Sequence, residues 1–230
     1  MRYVYCHPLF DERKCAHRFS YQLKITFQAA GLILERFDYR GTGEAAGEFK
    51  DVSLETLRQD ASQQVGDSKI CLIGLRFGAS LALDYCSHTS GIVQKLVLLE
   101  PIVNGARYVD YLYRKQHIKD LMTGKSADCL CDNGYVNIEG YKTNTHFIKQ
   151  IEDLDLIDIS EENLSGSSIL IIQISNHSKI DPEIAILAKK LEGLTKQTHF
   201  ENMQMPTFWE RLPSADYSKL TQTILRWTRD

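Results

Sequence analysis

Short apolar runs alternate along this chain with longer stretches in which apolar residues recur at helical spacing. The runs cover residues 3–6, 32–37, 70–73, 96–99, 169–174 and 198–201. Each is brief, mostly apolar and bounded by polar residues or glycine, the mark of a strand, and five of the six read as buried on both faces. Between them the pattern predicts helices over residues 15–30, 54–65, 79–87, 183–191 and 217–227. Ser53 and the Asp181-Pro182 pair supply N-terminal signals for two of these helices. A repeated order of buried strand and covering helix argues for a parallel sheet with helices on both faces. The expected class is therefore α/β, a doubly wound sheet of six mostly parallel strands.

The interval from residue 102 to 166 breaks that rhythm. It holds helical patterns over 106–122 and 145–154 around the stretch CLCDNGYVNIEGY, in which Asn133-Gly134 is a hairpin signal. The expectation is one domain over residues 1–230 with a lid-like helical and hairpin insertion at 102–166.

Composition narrows the function classes. The 230 residues include 43% hydrophobic positions, ample for one core, and a net charge of -3 that offers no global basic field for nucleic acid. The beginning MRYVYCHPLF lacks the layout of a signal or transit peptide, and no apolar run approaches bilayer length. A cytoplasmic protein without membrane insertion is expected. Six cysteines without a C-x-x-C pair read as free thiols. Cys129-x-Cys131, with His117 and His146 at a distance, lacks metal-ligand spacing, so neither a metal nor a cofactor is expected.

Four motifs follow in chain order: CHP (residues 6–8) after the first strand, FDYRGTGEAAGEF (37–49) after the second, GLRFGA (74–79) after the third, and LVLLEP (96–101) just before the insertion. This order resembles the α/β-hydrolase superfamily, whose third such strand runs into a nucleophile elbow. Within it, CHPLFDERKCAHR, the hairpin ending in VNIEGY, and PTFWE are similar to small hydrolase-like proteins associated with the exosortase system. The resemblance implies a trimmed hydrolase sheet of spatial order 2-1-3-4-5-6, with ligand above the switch point between strands 1 and 3.

The chemistry implied by the resemblance departs from the family at the elbow. Arg76 stands where a serine nucleophile is expected, and a guanidinium stays protonated and cannot attack a carbonyl. No histidine occurs between Glu201 and Leu212, where the base is expected, and His199 lies several residues too early. Asp181 is available as the acid but equally suits a helix cap. Serine hydrolysis is disfavoured.

Arg76 at the start of a helix instead suits an anion, with the Phe77 amide, the loop around Leu9, His7 and Glu100 as further ligand-binding candidates. An internal partner for Arg76 is also expected, since an unpaired charge in a pocket is costly; Glu100 and Asp38 are the candidates. His7, Asp38 and Asp181 are the weaker catalytic candidates, although Asp38 commonly braces its glycine-rich turn in this fold. Cys6 and His7 alternate across a strand and form no dyad. GTGEAAG lacks the Gly-Lys-Ser/Thr of a P-loop. Phe208 and Trp209 are expected to be partly buried against the last helix.

The leading reading is a cleft that binds a small anionic or acyl-bearing ligand, in exopolysaccharide or surface-protein export as the resemblance implies. The rivals are an enzyme with non-standard catalytic residues and a scaffold that docks a protein partner, or another copy of the chain, through residues 102–166.

Overall fold

A computed structural model describes residues 1–65, 69–89, 91–124, 133–210 and 215–229. The chain packs as two compact units: Met1–Phe37, Ala61–Val103 and Leu156–Asp230 form one, and Asp38–Asp60 with Asn104–Asp155 form the other.

The first unit is built on strands β1 (Arg2–Cys6), β2 (Leu34–Arg36), β3 (Ile70–Leu75), β4 (Val93–Leu99), β7 (Ser168–Ser175) and β8 (Gln197–Gln204). All pair in parallel, in the order β2-β1-β3-β4-β7-β8. This is the order expected from the sequence. β3 is buried along its whole length because helices cover both faces of a central parallel strand, whereas the edge strand β8 alternates exposed and half-buried positions. On one face, Phe19, Leu23 and Phe27 of α2 (His17–Ala29) and Leu220 and Ile224 of α8 (Ser218–Arg229) pack on Ile73, Val97 and Ile172 of the sheet. α4 (Phe77–His88) and α7 (Pro182–Glu192) complete the helices flanking the site.

Two expectations need correction. The helix predicted over 15–30 is preceded by a separate short helix, α1 (Phe10–Cys15), and the two meet at Ala16. FDERKC shows no apolar period because one of its two buried side chains is a glutamate, Glu12. The second concerns the hairpin: the described one pairs β5 (Tyr135–Ile138) with β6 (Tyr141–Asn144) and turns at Glu139-Gly140, while the stretch that would pair across Asn133-Gly134 lies outside the described residues. Both turn residues have positive φ, 54° and 97°. A glutamate is tolerated there because tertiary contacts fix it: its N–H donates to Gln116 Oε1 (2.6 Å) and its carboxylate pairs with Lys115, both on α5 (Gly105–Thr123). Asn133 and Gly134 also have positive φ but form the approach to β5, where the Gly134 carbonyl accepts from Thr145 N (2.9 Å).

The hairpin and α5 belong to the second unit, along with α6 (Thr145–Glu152). Residues 104–155 of the predicted insertion thus pack with the glycine-rich segment Asp38–Asp60. Asn144 joins them, donating from Nδ2 to the carbonyls of Lys50 (2.7 Å) and Val52 (2.9 Å) while its Oδ1 caps α6 at Phe147 N. α3 (Leu54–Val65) begins where Leu54 N donates to Gln150 Oε1 on α6 (2.9 Å). Cys129 and Cys131 lie outside the described residues, and no helix among those described is long and apolar enough to cross a membrane.

Candidate functional site

Parallel strands deliver their carboxyl ends to one edge, and there the chain must turn sharply into helices or loops. Among the described residues, three of the five non-glycine residues with positive φ sit at this edge: Phe10 beyond β1, Arg76 after β3 and Glu100 after β4, at 52°, 54° and 44°. Such strain is retained where the surroundings over-determine it, and it concentrates at functional sites.

The turn at Arg76 leads directly into a helix. Its φ of 54° and ψ of -124° lie outside every region favoured by residues with a side chain, and it caps α4 directly. The glycines of GLRFG make the turn feasible. A Cβ on Gly74 would collide with the backbone of Ala79, and one on Gly78 with the carbonyl oxygens of Cys6 and His7. The β1 loop therefore lies directly against the start of α4. Arg76 N donates to Leu99 O (2.9 Å), and Ser80 Oγ donates to Ile102 O (2.7 Å), tying the turn and the helix start to the strand beside them.

The side chain of Arg76 is held from two sides. Its Nε donates to Glu12 Oε1 at 3.2 Å, and its guanidinium carbon lies 5.3 Å from the centroid of the Trp209 ring. The Glu12 side chain is wholly buried, whereas 15% of the Arg76 side chain stays exposed. An internal carboxylate for Arg76 is thus present in Glu12 of α1, which the sequence did not single out, and Glu100 also feels the Arg76 charge. Asp38 lies in the second unit, where its Oδ2 accepts from Glu44 N (3.0 Å) and braces the glycine-rich turn. Trp209 is buried in the core cluster that includes Leu220 and Ile224 of α8 and also covers the guanidinium, while its neighbour Phe208 is fully buried between Phe19 (4.8 Å) and Tyr217 (5.1 Å).

Glu100 follows the last β3–β4 pair, Leu75 with Leu99, so it comes next to Arg76 in register. Its N–H donates to Ile172 O (2.8 Å) and its Oε2 accepts from Ile174 N (2.6 Å), extending the β4–β7 ladder with a side chain. Burial pushes the Glu100 carboxyl above the usual carboxylate range; the Ile174 amide and Arg76 pull it down, Asp181 pushes it up and His177 pulls it down. Asp181 caps α7, accepting from Glu183 N (2.8 Å), and its own N–H donates to Gln173 Oε1 (2.7 Å).

His7 is buried in the β1 loop, where its Nδ1 donates to the Pro8 carbonyl (2.7 Å). Leu9 and Phe77 are fully buried at the starts of α1 and α4. His199 lies within β8 opposite Leu170, short of the carboxyl edge. The edge thus brings together Arg76, Glu12, Trp209 and Glu100. Sequence reasoning missed Glu12 and the role of Trp209. The usable signal for Glu12 was its place in the first turn of chain beyond β1, facing a predicted elbow.

A separate groove of about 550 Å³ runs between α2 and α8, lined by Arg18, Gln22, Thr26, Tyr217, Thr221 and Gln222 among others. None of the edge residues lines it.

The sequence matches no family model and no curated protein. Solved structures do match over nearly the whole chain. An esterase from Pyrococcus furiosus superposes with a TM-score of 0.68 at 12% identity, covering 99% of this chain and 81% of its own. Est1E from Butyrivibrio proteoclasticus, solved with ferulic acid bound, gives 0.64 at 13% identity, covering 98% and 87%. The enol-lactonase from Burkholderia xenovorans LB400 gives 0.61 at 13%, covering 99% and 91%.

The fold is that of the α/β-hydrolases.

In the hydrolase fold the carboxyl edge of the sheet is where chemistry is staged, and the β3–α4 turn is its sharpest feature. Here that edge is occupied by a cation with a buried acid on one side and an indole on the other.

Proposed function

We propose that this hydrolase-fold protein has lost serine hydrolysis, with Arg76 in the place of the nucleophile, and that it binds a small anionic or acyl-bearing molecule at the β1–β3–β4 edge. The observation that carries this reading is the strained turn at Arg76, whose guanidinium is both anchored and partly exposed. Glycine would adopt that backbone without strain, so the turn alone gives no reason for an arginine. What glycine lacks is the guanidinium. Glu12 and Trp209 fix its position, which lowers the entropy lost when the guanidinium engages an anion. The start of α4 adds its dipole in the same sense. Est1E, a hydrolase-fold protein carrying ferulic acid, makes an aromatic carboxylate a reasonable first probe. The motif resemblance to exosortase-associated proteins supports a place in polysaccharide or surface-protein export.

Two measurements test the reading. A fluorophosphonate probe is expected to leave the protein unlabelled, and p-nitrophenyl acetate to be turned over no faster than by the Arg76→Ala variant. Ferulate is expected to bind, and Arg76→Gln, which keeps a donor for Glu12, to bind it at least about tenfold more weakly through loss of a charge-assisted contact. Covalent labelling, or unchanged affinity in the Gln variant, would overturn the proposal.

A further inference from the structure

Two carboxyls lie close to Arg76. Glu12 is hydrogen-bonded to it, and Glu100 stands beside it in register with Asp181 and His177 as its other charged or titratable neighbours. Oε2 of Glu100 is committed to the Ile174 amide; among the described residues, Oε1 carries no hydrogen bond. The hydrogen bond from Ile174 N at 2.6 Å anchors this carboxyl at the edge. An anion docking on Arg76 therefore arrives beside a carboxyl whose counter-ion is already shared.

Two carboxylates in one site cannot both stay ionised at little cost, and the usual resolution is a proton held between them. We propose that Glu100 makes the Arg76 site selective for a free carboxylic acid over its ester: it takes one proton from solvent as the acid's carboxylate binds and donates it from Oε1 to that carboxylate. No covalent bond changes. An ester brings no charge, leaves Glu100 as it was and forfeits the short O–H···O⁻ bond. Burial already favours the protonated form of Glu100, so the uptake asks little of the protein. The inference rests on the anion-binding reading above.

The test is calorimetric titration of the whole protein with benzoate and with methyl benzoate, in buffer pairs of different ionisation heat from about pH 5 to 8. Benzoate is expected to take up close to one proton at the upper end of that range, with affinity falling there by up to about tenfold per pH unit. Methyl benzoate is expected to bind more weakly and with no uptake. Glu100→Gln keeps an acceptor for Ile174 N and a donor for ligand, and is expected to bind benzoate with a flat pH profile.

Uptake that persists in Glu100→Gln would overturn the inference. So would uptake that disappears instead in His177→Asn or Asp181→Asn, or benzoate binding that depends on Arg76 but moves no proton. Failure of the anion-binding reading itself looks different: benzoate then fails to bind at any pH, or binds equally well to Arg76→Gln, and both proposals fall.

Discussion

Replacing Arg76 with alanine is expected to destabilise the protein by about 3–5 kcal/mol near neutral pH, the usual penalty for breaking a buried ion pair from one side. The loss falls on Glu12, whose carboxylate has no exposure of its own and whose Oε1 would lose the donor at 3.2 Å. Removing Glu12 instead should cost less, because Arg76 keeps 15% of its side chain in water and can carry its charge there. Arg76→Gly should recover about 1 kcal/mol relative to alanine by relieving the positive φ.

Replacing both partners with apolar residues of similar length, Glu12→Leu with Arg76→Met, should restore most of the stability, since neither charge is then stranded. Urea denaturation of the wild type and the four variants measures all of this. Equal midpoints for wild type and Arg76→Ala would show that the pair contributes nothing.

Gly78→Ala is the second large effect, expected at about 3 kcal/mol or more because the clash is with backbone that cannot rotate away. The new methyl would meet the carbonyl of Cys6 and come within 2.5 Å of that of His7, where β1 gives way to its loop. Either the loop moves, carrying α1 and Glu12 away from Arg76, or α4 withdraws from the sheet. Both outcomes predict loss of ligand affinity along with stability. A variant that melts with the wild type and binds ligand normally would mean that the loop and helix are less closely packed than described.

The sheet was legible in the sequence because its strands are fully buried. Runs such as ICLI and LVLL admit little other than central parallel strands, and the glycines flanking Arg76 mark the place where loop and helix backbones meet. Strand ends were less legible: β8 extends to Gln204, well beyond residue 201, because an edge strand tolerates polar side chains and so shows no apolar limit.

The site was half legible. That Arg76 needs an acid follows from the cost of burying a charge, but the choice of acid depends on which side of α1 faces the sheet. FDERKC offers two acids in succession, and nothing in the sequence marks Glu12 as the one with no exposure. Trp209 was hidden for a related reason. An aromatic pair after a strand signals burial, which both residues meet, yet only the path of the chain beyond β8 decides that Trp209 also covers a guanidinium.

A crystal structure of the protein grown with benzoate tests the central claim most directly. The account predicts carboxylate oxygens about 3 Å from the Arg76 guanidinium, with Glu12 and Trp209 still in place behind it. Benzoate bound only in the α2–α8 groove, or an Arg76 side chain turned out into bulk water, would contradict it.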